Sequence, residues 1–416
     1  MKKALITVIA VLVGTFLYAQ NRPEEDKRIA FGTFQNGLHY YAVQNTVETG
    51  FADFALVCRR RDEKDLNPTD LLFDKGRIRQ RSFQKFLSDN SVAPDKSGYA
   101  HLTEDCMALH FSSVMLNRNP KLVDSLFLAL FDAAELLAGK GVPLGELAIM
   151  VSGDLDRSAT IEKMKIFSLM IQDNSGNSRP TVARPYDIPD SEIVVEDSGE
   201  YLKISGKFPF RAVEDGSGNT AKYAVMNQLA STLGAVAVDL TKRSLDIDSV
   251  PYTDAGFSLS RRKYGETDVW NTLEIHFCTI PQVKDAAVKA FSRALSSLPK
   301  MNYPELRIAS RRYYSGHSAN ESSMTNAELI HLCRDAFVYG SPLVSDSALR
   351  RFCRSREVAD SLGLNIMQDF AAAVVKAPSD SAVRSAWTAS MPVYRPDIRA
   401  LDKLPGLPEK KSRVRT

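Results

Sequence analysis

The sequence predicts an α+β protein built from two tandem α/β sandwich domains, each an antiparallel-type sheet with helices on one face. Two observations favour this fold class. Strand-like runs and apolar helical stripes follow one another in a similar order in both halves of the 416-residue chain. Residues 173–199 lie between the halves, are rich in Pro, Ser, Gly and Asp and lack hydrophobic periodicity, which is typical of a domain linker. We therefore expect one domain over residues 30–172 and a second over residues 200–400.

The N-terminal half opens with strand signals. An Asn-Gly pair within residues 33–45 separates two β-prone runs, which indicates a hairpin turn. Phe54, Leu56 and Cys58 then occupy alternate positions, as in a strand with one buried face. The remaining predictions for this half are a short helix over residues 82–87, a strand over 105–114, a long apolar helix over 122–137, a buried strand over 147–151 and a helix over 159–170.

The C-terminal half repeats this order before it becomes mostly helical. Its predicted elements are a strand over residues 201–208, a long helix over 220–240, strands over 256–260 and 270–279, a helix over 283–298 and several helices over 304–375. Residues 401–416 are Pro-rich and basic, and we expect them to form a disordered tail.

The first residues of the chain, MKKALITVIAVLVGTFLYAQ, predict a secretory signal. Lys2 and Lys3 precede an apolar run of about 14 residues, and Ala19 offers a small side chain at the cleavage point. A membrane anchor is the alternative, but a span needs about 20 apolar residues. We therefore expect residues 1–19 to be removed and the protein to be exported, to the periplasm or outside the cell, without a membrane span.

Charge and cysteine content name no partner. The 53 Lys and Arg residues against 50 Asp and Glu residues give a formal net charge of +3, which argues against a dedicated nucleic-acid-binding protein. None of the five cysteines forms a C-x-x-C pair, and an odd count leaves at least one thiol outside any disulfide. Most have apolar neighbours, so we expect them to pack in the core. They are Cys58, Cys106, Cys278, Cys333 and Cys353.

Four fragments of the N-terminal half carry a family resemblance. Residues 35–41 (QNGLHYY), 51–61 (FADFALVCRRR), 97–111 (SGYAHLTEDCMALHF) and 149–156 (IMVSGDLD) occur in the order seen in insulinase/pitrilysin-type (inverzincin) zinc metallopeptidases. The chain resembles the bacterial exported branch of that family. The resemblance implies a duplicated metallopeptidase-like fold, and it continues through most of residues 30–375.

The sequence departs from the family where the metal should bind. Catalysis there requires H-x-x-E-H on a helix, with a further Glu ligand from a helix downstream. Residues 61–82, where the first ligand helix is expected, contain no His, and Pro68 interrupts them. Only residues 138–146 separate the apolar helix from the next strand, which leaves no room for the second ligand helix. We therefore predict a degenerate, non-catalytic member without catalytic residues, a metal site or a cofactor.

One alternative metal site stays open. Glu274, His276 and Cys278 share one face of a predicted strand at positions i, i+2 and i+4, a partial ligand set without an evident fourth member. If these residues held zinc, the protein would be an active zinc-dependent endopeptidase with a non-standard metal site. A half-buried sheet face is the simpler explanation.

The remaining function that the resemblance implies is recognition. Gly98, Tyr99, Ala100 and His101 resemble the family's edge strand, which receives an extended peptide as an added strand. The match is imperfect, because Gly98 replaces the usual Asn and the Ala-Tyr order is inverted. We predict a peptide-binding edge strand here, although edge strands are also often covered by the protein's own loops.

The other expected partner is an exported, active metallopeptidase subunit. Some family members work as pairs in which a zinc-free subunit completes the partner's chamber, and Arg and Tyr side chains of that subunit hold substrate. Arg312 and Tyr313 are candidates for this role, but they are equally compatible with an ordinary helix surface.

Overall fold

The computed structural model shows two β-sheets with helices packed on them. It describes residues 23, 25–59, 80–94, 98–103, 105–171, 190–212, 220–264, 268–315, 323–354 and 360–376. The predictions for the export signal (1–19) and for the tail (401–416) fall outside these ranges, as does most of the segment 61–82.

The N-terminal half supplies six strands and three helices to the described part of the chain. In chain order these are β1 (Ile29–Thr33), β2 (His39–Gln44), β3 (Phe51–Arg59), α1 (Gln80–Asp89), β4 (Ala100–Leu102), β5 (Cys106–Met115), α2 (Leu122–Gly139), β6 (Leu147–Gly153) and α3 (Arg157–Ser168). Every strand and helix predicted for this half is present, with ends shifted by a few residues.

Four strands and six helices follow in the described C-terminal half. They are β7 (Glu192–Asp197), β8 (Leu202–Arg211), α4 (Thr220–Ile247), β9 (Thr253–Tyr264), β10 (Asp268–Thr279), α5 (Lys284–Ser297), α6 (Tyr303–Ser315), α7 (Asn326–Tyr339), α8 (Asp346–Arg354) and α9 (Asp360–Val374). The α+β class is confirmed.

The N-terminal sheet has six strands in the order β1-β2-β6-β3-β5-β4. All its pairs are antiparallel except β2 with β6, so the predicted antiparallel-type sheet contains one parallel pair. Leu56 lies at the centre, opposite Ile149 on one side and Leu109 on the other. Helices α2 and α3 cover the face to which Leu56 points, and Phe54 meets Phe127 edge-on with ring centroids 5.4 Å apart.

The opposite face of this sheet is also covered, which the sequence analysis did not predict. Helix α7, from the C-terminal half, packs Leu329, Cys333 and Phe337 against alternate residues of β3 such as Ala55 and Val57. Seven consecutive residues of β3 are therefore buried, and the prediction of a half-buried strand was wrong. The prediction that helices lie on one face was wrong for this sheet for the same reason.

Polar contacts at both ends hold α7 on the sheet. At its start, Asn45 Nδ2 donates to Asn326 Oδ1 over 2.8 Å, and both side chains are buried. Near its end, Arg59 Nε donates to the Phe337 carbonyl over 2.9 Å, while the guanidinium lies 4.1 Å from the Phe337 ring centre. These contacts join the two halves of the chain.

The C-terminal sheet has four antiparallel strands in the order β7-β8-β10-β9. Helices α4, α5 and α9 pack on one face, where Phe277 meets Phe291 edge-on at 5.3 Å. The other face carries charged side chains such as Glu274 and Lys203, so among the described residues the predicted arrangement with helices on one face holds for this sheet. Strand β7 lies inside the predicted linker 173–199 and pairs with β8, so residues 192–197 are part of the C-terminal sheet.

All five cysteines lie in the described ranges. No disulfide joins the five cysteines; four are buried, as expected for core residues, and Cys278 is half-buried. None of the helices in the described ranges combines the length and the apolar character needed to cross a membrane.

Candidate functional site

Strand β4 lies at the edge of the N-terminal sheet, as the sequence predicted for residues 98–101. It pairs with β5, and no other strand in the described part of the chain pairs with its outer side. Two hydrogen bonds fix the register: His110 N–H donates to the Tyr99 carbonyl over 2.8 Å, and Thr103 N–H donates to the Cys106 carbonyl over 2.9 Å. The strand is thus positioned by β5.

This register determines which backbone groups face outward. In an antiparallel pair, hydrogen-bonded residues alternate with residues whose N–H and C=O groups point away from the partner strand. Tyr99, His101 and Thr103 are the inward-bonded positions. The N–H and C=O groups of Ala100 and Leu102 therefore point to the outer side of β4. The prediction named Ala100 but missed Leu102, whose side chain is 52% exposed.

The residues before β4 hold it in place. Gly98 has a φ of +94°, in the left-handed region that glycine adopts without strain. The Tyr99 hydroxyl donates to the Val92 carbonyl over 2.7 Å, and its ring lies 5.5 Å from that of Phe111. Burial raises the pKa of the Tyr99 phenol, so it stays a neutral donor. Gly98 and Tyr99 thus act as structural supports of the edge.

A carboxylate and a pair of histidines lie directly beneath this edge, on the face covered by α7. His110 Nε2 lies 3.0 Å from Asp53 Oδ2, and Asp53 Oδ1 accepts a hydrogen bond from the Ser113 N–H over 2.8 Å. The His101 ring lies 6.1 Å from the His110 ring. Asp53 and His110 were not predicted from the sequence, because residues 57 positions apart carry no local signal of contact.

A third histidine approaches from the C-terminal half. His331 on α7 is exposed on one side and interacts electrostatically with His110 and His101. Partial desolvation, and then the neighbouring Arg334 guanidinium, lower the pKa of His331 from the ordinary 6.5. The edge strand therefore lies over a cluster of titratable rings contributed by β4, β5 and α7.

The residues present do not fit the zinc ion that the family resemblance implies. The full sequence contains no H-x-x-E-H, and the stretch between α2 and β6 holds a single helical turn, Leu144–Glu146, where a ligand helix was expected. The first expected ligand segment is largely outside the described residues but contains no His. Among the described residues, no three His, Cys, Asp or Glu side chains are grouped so as to hold a metal ion.

The alternative ligand set does not come together either. Glu274, His276 and Cys278 lie on β10 and share its polar face as predicted, but a strand rises about 3.3 Å per residue, which separates the first from the last by roughly 13 Å. Glu274 instead forms an ion pair with Lys203 at 3.2 Å. These residues belong to an ordinary polar sheet face.

Arg312 is engaged within its own half. Its Nη1 donates to both carboxylate oxygens of Asp239 on α4, each over 2.7 Å. The side chain of Tyr313 is outside the described residues. The helix-surface explanation therefore suffices for Arg312.

No family model and no curated protein matches the sequence. Solved structures do match. A protein described as a predicted insulinase family protease from Yersinia pestis superposes with a TM-score of 0.68 at 11% identity, covering 90% of this chain and 98% of that one. The chain has the insulinase-family fold.

Two further structures extend the comparison. The periplasmic protease PqqL from Escherichia coli superposes with a TM-score of 0.62 at 11% identity, covering 90% of this chain but only 52% of that one. A peptidase M16 inactive domain from Pseudomonas fluorescens gives 0.53 at 12% identity, covering 82% and 94% of the two chains. Our insulinase-like chain thus spans about half the length of PqqL. The resemblance found in the sequence is confirmed as a shared fold.

Proposed function

We propose that this protein is a non-catalytic, insulinase-like module that is exported and binds extended polypeptide segments along β4. The observation that carries the proposal is the outward orientation of the Ala100 and Leu102 backbone groups at the end of a sheet with the insulinase-family fold. The absence of H-x-x-E-H from the sequence supports binding without hydrolysis.

Strand addition supplies the binding chemistry. An incoming segment would donate to and accept from the backbone of Ala100 and Leu102, with the 52%-exposed Leu102 side chain offering apolar contact. Such recognition is largely independent of the bound sequence, because backbone groups are common to all residues. No metal, nucleophile or activated water takes part.

A proline substitution in the edge strand tests the proposal. Proline at Leu102 removes only an outward N–H, so pairing with β5 persists while an added strand loses a hydrogen bond. We expect Leu102→Pro to weaken binding of a fluorescein-labelled pool of random 12-residue peptides by about 5–10-fold in fluorescence anisotropy. Leu102→Ala is the matched control: it keeps the N–H, so its affinity should fall less.

Two results would contradict strand addition. One is equal binding by Leu102→Pro and wild type. The other is the absence of any binding by the wild-type protein at peptide concentrations up to the millimolar range. Circular dichroism of both variants checks that the fold is unchanged.

A second candidate function is that of a partner subunit for an active exported metallopeptidase. The observation behind it is the length comparison, in which the match covers 90% of this chain and 52% of the periplasmic protease PqqL. Chemical cross-linking in cells followed by affinity purification should recover one stoichiometric peptidase partner. Repeated recovery of the protein by itself would count against pairing.

The alternative of an active zinc endopeptidase has a direct test. Protein purified without chelator should contain far less than one zinc per chain by elemental analysis, and its incubation with unfolded casein should release no peptides. Stoichiometric zinc together with EDTA-sensitive proteolysis would establish the enzyme and overturn the non-catalytic proposal.

A further inference from the structure

Strand β7 lies at one edge of the C-terminal sheet. It pairs with β8, and no other strand in the described part of the chain pairs with its outer side. The turn that joins the two strands fixes the register, because the Ser198 N–H donates to the Tyr201 carbonyl over 3.1 Å. In an antiparallel pair the next residue is then turned outward, and the alternation continues along the strand. The N–H and C=O groups that point outward belong to Ile193, Val195 and Asp197.

The side chains beside this edge are acidic. The segment 190–200 contains five Asp and Glu residues and no Lys or Arg. Glu192 and Glu196 are both exposed and lie on the same face of the sheet as Lys203. Lys203, opposite Glu196, is engaged by a carboxylate of β10 at 3.2 Å, and no basic side chain among the described residues forms an ion pair with Glu196. The negative charge of this edge is therefore only partly compensated.

Apolar side chains alternate with these carboxylates. Ile193 and Val195 are half-buried and pack against the core that the helices cover. Val194 lies between Glu192 and Glu196 on the opposite face. A strand added to β7 would therefore meet apolar neighbours on one face and two carboxylates on the other.

The charges decide which kind of strand fits this edge. Charged side chains on an edge strand commonly prevent pairing between identical chains. Two copies of β7 would bring carboxylates close to one another, whereas a segment with Lys or Arg would form opposite-charge pairs across the strands. Charge complementarity thus favours a basic partner over a second copy of this chain.

We propose that β7 binds an extended basic segment of a partner polypeptide, which adds to the C-terminal sheet as a further strand. The segment has Lys or Arg at positions i and i+4, which match Glu192 and Glu196. Its residues i+1 and i+3 are apolar and continue the surface formed by Ile193 and Val195. This site is separate from β4 and does not depend on the function proposed there.

Two labelled peptides of equal composition test the pattern. The probe is fluorescein-labelled Ser-Lys-Val-Thr-Val-Lys-Ser. The comparison peptide, Ser-Lys-Val-Thr-Val-Ser-Lys, places its two lysines on opposite faces of a strand. In fluorescence anisotropy at low salt, the full-length protein should bind the probe roughly threefold more tightly, because only the probe can pair with both glutamates. Equal binding of the two peptides, or no binding of the probe, would overturn the proposal.

Hydrogen exchange locates the bound probe. Saturating probe should slow the exchange of residues 192–198 several-fold, since outward N–H groups of β7 become hydrogen-bonded. Protection of residues 98–103 alone would place the peptide on β4. That result would overturn the assignment of β7 while leaving strand capture at β4 intact. Protection of residues 192–198 without binding at β4 would support the present proposal even if the function proposed for β4 failed.

Variants assign the binding to the backbone and to the charge of β7. Val195→Pro removes an outward N–H and should weaken probe binding about fivefold, whereas Val195→Thr keeps that N–H and should bind nearly as well as wild type. Glu196→Gln should weaken binding roughly threefold. Glu162→Gln, at an exposed position of α3, is its matched control and should have no effect. Unchanged binding by both Val195→Pro and Glu196→Gln would overturn the proposal, and circular dichroism checks that each variant is folded.

Two further results would identify a different occupant. A wild-type dimer in sedimentation velocity that Val195→Pro converts to a monomer would identify a second copy of the chain. Tighter binding of the probe after removal of residues 402–416, which end in KKSRVRT, would identify that segment of the chain itself. Either result would overturn the assignment of β7 to a separate basic partner.

Discussion

The two sheets of this molecule have similar sequence patterns but different surroundings. The N-terminal sheet is covered by α2 and α3 on one face and by α7 on the other, whereas in the described part of the chain helices cover the C-terminal sheet on one face only. The difference arises from α7, which belongs to the C-terminal half of the chain but packs on the N-terminal sheet. The two halves of the chain therefore have a similar order of elements, but they do not pack independently of each other.

The candidate site belongs to the doubly covered sheet. Its shortest described strand, β4, lies at one edge of that sheet. The open face of the other sheet carries ion pairs such as Lys203 with Glu274 and Lys207 with Glu192. Recognition is thus proposed at sheet edges and not on the open polar face.

The largest expected effect on stability comes from weakening the packing of α7 on the N-terminal sheet. Phe337 is 2% exposed and packs between Tyr41 and the Arg59 guanidinium. Phe337→Ala should lower the free energy of unfolding by about 3–5 kcal/mol, the usual cost of deleting a buried aromatic ring. Urea denaturation followed by circular dichroism measures it. A loss below about 1 kcal/mol would mean that α7 does not stabilise the N-terminal sheet.

The next largest expected effect on stability is that of alkaline pH, through Tyr41 on the sheet face that α7 covers. Burial, and to a lesser degree Cys333, raise the pKa of Tyr41 to about 12 from 10.0. Because the folded-state pKa is the higher one, the stabilisation is complete below pH 10 and is lost as the pH rises through 12, a change of about 2–3 kcal/mol.

The Tyr41→Phe variant tests whether Tyr41 causes this loss, because it lacks the ionisable phenol. Between pH 10 and 12 its free energy of unfolding should fall by about 2–3 kcal/mol less than that of the wild type. The control is Tyr201→Phe, which removes a phenol that is 51% exposed. Urea denaturation of both variants at several alkaline pH values provides the comparison. Identical losses in Tyr41→Phe and wild type would show that Tyr41 is not responsible.

A smaller effect is expected where the start of α7 meets the sheet. Asn326 Oδ1 accepts from Asn45 Nδ2 at 2.8 Å and from Ser152 Oγ at 3.3 Å. Asn326→Ala should therefore cost about 1–3 kcal/mol, because buried donors are left with fewer acceptors. Asn117→Ala, at an exposed position, is the control and should be nearly neutral. Equal unfolding midpoints for the two variants would contradict the role of Asn326.

Much of the fold was predictable from local pattern, and the errors have identifiable causes. The strand over β3 was predicted from Phe54, Leu56 and Cys58, yet Ala55 and Val57 between them are apolar too. Such a continuous apolar run is typical of a strand buried on both faces. Strand β7 was not predicted, because its apolar run, Ile193–Val195, is short and has acidic neighbours, as is typical of a linker.

Part of the candidate site was likewise predictable from the sequence and part was not. The edge position of β4 followed from the family resemblance, and its outward groups from the register alone. The convergence of Asp53, His110 and His331 was not predictable, because it depends on which sheet α7 covers. The sequence of an amphipathic helix predicts that one face is buried, but it does not predict which element that face packs against.

The smallest expected effect tests the open face. Lys207 Nζ lies 3.5 Å from Glu192 Oε1, with 35% and 52% of the two side chains exposed. Because solvent screens such a pair and both chains stay mobile, Lys207→Ala should change the unfolding free energy by no more than about 0.5 kcal/mol, measured as for Phe337→Ala. A loss of several kcal/mol would require this face to be covered in solution, and the contrast between one sheet buried on both faces and another open on one would no longer hold.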